Sequence, residues 1–210
     1  YNGIKLVPAG AVALSGDAGI REVREGALGP EPAAFGGAPG ALTHEDVTEA
    51  FVRHCRAFID VSKLRPLKVV FDAGNGMGGP AAERVFEGLP LDRTDLYFTP
   101  DGDFPNPPAD PLVEENRQVI IRKVKETGAD LGIAWDGDAD RCFFIDDTGE
   151  FIPGDFVTAL LGTLFANREP GATIVYDVRA SRVVADAVLA AGGKPVMHRV
   201  GHAFMKVKMR

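Results

Sequence analysis

Cysteine is nearly missing from this chain: Cys55 and Cys142 are the only two in 210 residues, and they lie far apart. A disulfide framework is excluded as the basis of the fold, and reduced, packed thiols are expected. Long apolar runs are missing as well. No stretch approaches the ~20 residues needed to cross a bilayer, and the N-terminal YNGIKLVPAG lacks the charged-then-apolar layout of a signal peptide. Basic residues are in the minority, 23 Lys and Arg against 30 Asp and Glu for a net charge of −7, and they form no stripe able to follow a phosphate backbone. Nucleic acid and membrane are set aside as partners, and a soluble cytoplasmic protein is expected.

What is present is a hydrophobic content of 45%, enough at this length to bury a core. From about residue 68, short β-branched or aromatic runs alternate with longer amphipathic stretches, the pattern of βαβ units around a mostly parallel sheet. The spacing predicts strands at 68–71, 95–98, 131–135, 173–176 and 195–198, and helices at 80–86, 112–127, 155–167, 181–191 and from 203 onward. Between them, 142–145 and 150–152 flank Asp146-Asp147-Thr148-Gly149, which predicts a hairpin. Residues 26–42, GALGPEPAAFGGAPGAL, have the composition of a linker. Boundaries are expected there and near Pro153-Gly154. Residues 1–25 are too few for a core of their own, and the chain stops in an expected helix, so both ends look cut.

The chemistry concentrates in Asp136-Gly137-Asp138-Ala139-Asp140-Arg141. Carboxylates at alternate positions share a face of an extended segment or curl round one point in a tight loop, and they repel one another unless a cation sits among them. An all-oxygen set with no His or Cys nearby favours a hard ion, Mg²⁺ first, with open positions for a phosphate oxygen. Arg141 is placed to hold a ligand oxygen beside it. An EF-hand starting at Asp136 fails, because Arg141 and Asp147 stand where Gly and Glu are required. The bland alternative is a solvated acidic loop.

A rival motif lies at Gly74-Asn75-Gly76-Met77-Gly78-Gly79, which satisfies G-x-G-x-x-G between a predicted strand and a predicted helix. A dinucleotide site also needs an acidic residue closing the next strand. Asp95 is expected to open that strand, and Asp101 lies beyond it. The plainer expectation is a tight turn whose backbone is hydrogen-bonded by Asp72 and Asn75, with no nicotinamide or flavin.

Taken together, YNGIK (1–5), DAGNGMGGPA (72–81), PDGDFPNP (100–107), DGDADR (136–141) and GHAFMK (201–206) resemble the α-D-phosphohexomutases, a family that includes phosphomannomutase/phosphoglucomutase and phosphoglucosamine mutase. The resemblance spans the whole chain. It implies an α/β fold of repeated βαβ domains with mixed, mostly parallel sheets, in three pieces: the end of a first domain plus linker (1–42), a second domain with the metal loop (43–153) and the start of a third (154–210).

Also implied is phosphoryl transfer between hexose 1- and 6-phosphates through a phosphoserine and a bisphosphate intermediate, supported by Mg²⁺, in a monomer or homodimer. The serine belongs to a loop that would precede Tyr1, and the sugar-recognition loop and fourth domain would follow Arg210. By the same resemblance Lys5 matches a general acid/base lysine. His202 matches a histidine that contacts sugar or moves a proton, and Arg179 stands where relatives have a ligand-binding lysine. Pro107 replaces a frequent His. A second class stays open: a domain that folds and holds Mg²⁺ without turning over substrate.

Overall fold

The computed structural model describes residues 6–10, 12, 14, 16, 19–31, 36–37, 40–106 and 108–210. Lys5, Pro107 and parts of 26–42 lie outside them. The described elements divide between two compact units, Thr43–Gly154 and a second made of Tyr1–Leu42 with Asp155–Arg210.

In the first unit, α2 (Thr48–Arg56) and a short 3-10 turn lead into β1 (Leu67–Asp72). The β-branched and aromatic run of β1 is buried from Val69 to Asp72, which suits a strand covered on both faces. It is central: the sheet order is β2-β1-β3-β4-β5, with β2 (Leu91–Leu96) and β3 (Leu131–Trp135) both parallel to it. The expected hairpin follows, β4 (Cys142–Asp146) antiparallel to β3 and to β5 (Phe151–Ile152). Its turn is held by the Asp146 carboxylate, which accepts N–H from Thr148 and Glu150, and by Gly149 at φ 85.

Two helices pack on this sheet. In α4 (Gln118–Thr127), Ile120 and Val124 recur at i, i+4 and are fully buried, and the helix ends at Gly128 in the left-handed conformation. Those side chains press on Gly132 of β3, where a Cβ would come within 2.8 Å of Val124. Val70, Ile120, Val124, Ala129, Ala134 and Ile145 form the resulting core. At the end of α3 (Gly78–Phe86), Phe86 lies 4.8 Å from the Phe71 ring, which also stacks on Trp135 at 5.6 Å.

The other unit contains α1 (Ile20–Leu28), α5 (Gly154–Arg168), β6 (Thr173–Asp177), α6 (Arg182–Ala190), β7 (Lys194–His198) and α7 (His202–Met209), with β6 and β7 parallel. Ala159, Gly162 and Ala166 are the buried side of α5, and Phe156, Leu160, Leu161, Leu164 and Phe165 are exposed on it. No described helix is long and apolar enough to cross a membrane.

Several expectations need correcting. The second strand runs Leu91–Leu96, not 95–98, because Tyr97 turns left-handed at φ 55 and ends it. Residues 112–117 are turns, so α4 starts at Gln118. Residues 26–28 of the expected linker close α1, whose C-cap is Gly29. Cys142 is exposed at the start of β4, although burial around its thiol pushes the group up to about 11.

Candidate metal centre

The acidic loop leaves the carboxyl end of β3, beside the end of β1. Open parallel sheets place ligands outside the carboxyl ends of their strands. Asp136, Asp138 and Asp140 each present a carboxylate oxygen, and the three oxygens lie within 4.8 Å of one another. Asp136 is 1% exposed, whereas Asp138 and Asp140 face solvent. Ala139 has φ 58, a left-handed conformation that costs a residue with a Cβ roughly 1–2 kcal/mol, and it tightens the loop enough for the Ala139 N–H to reach the Asp136 carbonyl at 3.0 Å.

Crowded carboxylates need compensation, and Arg141 supplies part of it. The Asp136 carboxylate accepts the Arg141 backbone N–H at 3.0 Å and the guanidinium Nε and Nη2 at 2.6 Å each. A buried carboxylate tolerates its charge when it is paired and hydrogen-bonded in this way. The guanidinium also lies 3.8 Å from Asp110 and 3.9 Å from Asp140. Hydrogen bonding to Asp136 holds Arg141 more firmly protonated than usual. With its side chain 49% exposed, Arg141 remains accessible to an anionic ligand.

Two other loops pack around this one. The glycine turn after β1 meets it directly: the Met77 N–H donates to the Gly137 carbonyl at 3.0 Å, and a Cβ on Gly76 would lie 2.5 Å from that oxygen. Gly79 is likewise closed off by the Phe98 carbonyl. The space a pyrophosphate would need against these glycines is taken by the protein's own backbone. This packing opposes the dinucleotide reading, even though Asp95 lies near the end of β2 and not at its start. Asp95 pairs with Arg93 at 2.8 Å, and the Arg93 guanidinium sits 5.3 Å from the Phe71 ring.

As expected, the Asp72 carboxylate accepts the Gly74 N–H at 2.9 Å. Burial pushes its carboxyl up to about 6, with that hydrogen bond opposing the rise. Asn75 departs from expectation. At φ 58 its amide turns away from its own turn and onto the 97–106 loop. That loop approaches Gly137 through Phe104, whose ring would meet a Cβ there at 3.5 Å, and its continuation is fastened by Arg117, which donates to the Leu112 carbonyl at 2.9 Å. Nothing local in the sequence marks Asp110 or Asn75 as site residues, because their partners are distant in sequence.

Arg179 and His202 belong to the other unit. Arg179 follows β6 and pairs with Asp177, Nη2 to Oδ2 at 2.7 Å and Nε to Oδ1 at 3.2 Å, which holds the Asp177 carboxyl below its usual range. His202 opens α7 beyond the end of β7 and is exposed. Both therefore follow the carboxyl ends of neighbouring parallel strands. Lys5 lies outside the described residues.

Comparison with known proteins bears on this arrangement. Residues 49–149 match the family description "Phosphoglucomutase/phosphomannomutase, alpha/beta/alpha domain II", and residues 153–210 match domain III of the same family. A phosphomannomutase of Salmonella typhimurium is 43% identical over 216 aligned residues, covering 100% of this chain and 47% of the relative. A protein of Xanthomonas campestris described as phosphohexose mutases is 42% identical, again over 100% of this chain and 47% of its own length. The crystal structure of a phosphoglucomutase/phosphomannomutase family protein from Burkholderia thailandensis superposes with a TM-score of 0.72 at 40% identity, over 79% of this chain and 36% of that one. The chain spans about half the length of the curated relatives it matches.

Proposed function

The chain belongs to the phosphoglucomutase/phosphomannomutase family, and from that membership we propose that it supplies the metal-binding domain and part of a sugar-phosphate domain to a hexose-phosphate mutase. In this reading residues 1–42 end a first domain, 43–153 form the second and 154–210 begin the third. The observation behind it is the convergence of Asp136, Asp138 and Asp140 at the carboxyl end of β3. Three carboxylate oxygens without nitrogen or sulfur suit a hard cation, Mg²⁺ above all.

The reaction assigned is the interconversion of hexose 1-phosphate and hexose 6-phosphate, with mannose or glucose as the sugar. A phosphoserine outside these residues gives its phosphoryl group to a sugar hydroxyl: the sugar O–P bond forms as the serine O–P bond breaks. Lys5 takes the hydroxyl proton. The bisphosphate then returns its other phosphoryl group to the serine: the serine O–P bond forms as that sugar O–P bond breaks, and the serine proton passes to the freed sugar oxygen. Bound Mg²⁺ would neutralise charge on the transferring group. Arg141, anchored on Asp136, presents its remaining N–H groups to a phosphate oxygen. Arg179 and His202 bind the sugar phosphate in this reading, and His202 exchanges a proton with it.

The test is a coupled assay of the full-length gene product with mannose, glucose and glucosamine 1-phosphates. Turnover of the first two should depend on Mg²⁺ and collapse in Asp138→Asn, and Lys5→Ala should lower it about 10²- to 10⁴-fold. The mutase reading is abandoned if none of the three sugars turns over. A preference for glucosamine phosphate would keep the chemistry and change the substrate.

A further inference from the structure

Asn75 directs all its polar groups to one neighbour. Its N–H donates to the Tyr97 carbonyl at 2.8 Å, and its own carbonyl accepts the Asp101 N–H at 2.9 Å. The side-chain Nδ2 donates to the Thr99 carbonyl at 2.8 Å, and Oδ1 accepts from Asn106 Nδ2 at 2.7 Å. Four hydrogen bonds thus bind one residue to the 97–106 loop. The next two residues hold Gly137 of the acidic loop, Met77 through its N–H at 3.0 Å and Gly76 by leaving no space between the backbones. From another direction Phe104, in the loop that Asn75 fastens, comes against Gly137. Gly137 is flanked by Asp136 and Asp138, so its position sets where both carboxylates can meet.

We propose that Asn75 is a positioning residue for the metal centre, which through the glycine turn and the 97–106 loop clamps Gly137 and thereby fixes the spacing of Asp136 and Asp138. The proposal rests on the reading of 136–140 as a metal site. Asn75 is suited to the work because asparagine tolerates the left-handed backbone found here, φ 58, better than most residues with a side chain. The conformation aims its amide at the 97–106 loop, and the amide does the joining.

The test uses the 210-residue chain and Mn²⁺ alone, with affinity read from the free-ion EPR signal and the melting temperature measured without metal. Asn75→Gly retains the backbone conformation and removes the amide; Asn106→Ala removes only the donor to Oδ1. Asn75→Gly should weaken Mn²⁺ binding about 10- to 100-fold, the usual effect of losing a group that orients ligands, and broaden the spectrum of the bound ion. Asn106→Ala should give a smaller loss in the same direction. Asn75→Asp, which preserves the acceptor for Asn106, should recover part of the affinity. A merely structural role would lower the melting temperature of the variants and leave Mn²⁺ affinity alone, and that result overturns the proposal. Should Asn75→Gly fail to fold, unchanged affinity in Asn106→Ala overturns it equally. Wild-type protein that ignores Mn²⁺ would instead remove the metal reading beneath it, a distinct outcome.

Discussion

The glycine turn after β1 and the acidic loop after β3 are near twins in setting and opposites in content. They leave adjacent parallel strands in register, Asp72 beside Ala134, and each contains a non-glycine residue at φ 58, Asn75 in one and Ala139 in the other. Gly74, Gly76, Gly78 and Gly79 of the first are buried, and Asn75 spends its polar groups inside the protein. In the second only Asp136 is buried, paired with Arg141, while Asp138 and Asp140 face solvent. One loop is a platform and the other presents ligands. A presenting loop can leave carboxylates uncovered only if something rigid holds its backbone, and here that support is the Met77–Gly137 contact.

The comparison breaks first on the presenting side. Asp138→Asn keeps the shape of an exposed side chain and removes its charge, so Mg²⁺ affinity measured by calorimetry should fall by about 100-fold or more, with the circular dichroism spectrum unchanged. Equal affinity in the variant would make 136–140 an ordinary solvated loop.

Glycine substitution separates platform from presenter more finely. An added Cβ at Gly79 runs into the Phe98 backbone, which cannot swing aside as a side chain can, and urea unfolding should show a loss of about 3 kcal/mol or more. At Gly137 the nearest atoms, from Phe104 at 3.5 Å, are in ordinary contact range, so Gly137→Ala should cost about 1 kcal/mol or less. Similar losses at the two positions would erase the distinction.

A further expected effect is one of pH. Asp72, at the root of the platform, has its carboxyl raised by burial from 3.8 to about 6. The folded state therefore binds the proton more tightly than the unfolded chain. Stability from this group is fully present below about pH 4, declines as pH rises toward 6 and is flat above, a change on the order of 2–3 kcal/mol. Asp72→Asn retains an acceptor for the Gly74 N–H and should flatten the stability profile over that window. A variant whose profile still falls between pH 4 and 6 would mean that another group titrates there.

Much of this was legible in the sequence where the cause is local. The hairpin follows from Asp146 and Gly149 in a four-residue turn, and the acidic loop from carboxylates two residues apart. β1 shows through its apolar Val69-Val70-Phe71, and β3 through the uncharged Leu131–Trp135. The second strand was harder to place, because Leu91–Leu96 is an edge strand with Asp92 and Asp95 exposed, and its charges hide it. Pairing with β1, not composition, makes it a strand. Helix α2 leaves little trace in the sequence for a similar reason: it buries only Val52, and Arg56 ties it to α3 through the Val85 carbonyl at 2.9 Å. The clamp on Gly137 left a clue in the glycines themselves. It did not identify the partner, since the fold alone brings residue 76 to residue 137.

The most direct test of the account is a crystal structure of the chain grown with Mg²⁺. The expected result is one ion bound by carboxylate oxygens of Asp136, Asp138 and Asp140 at about 2.0–2.1 Å, with Met77 still donating to the Gly137 carbonyl. An ion bound elsewhere, or Asp138 and Asp140 turned into solvent at saturating Mg²⁺, would contradict it.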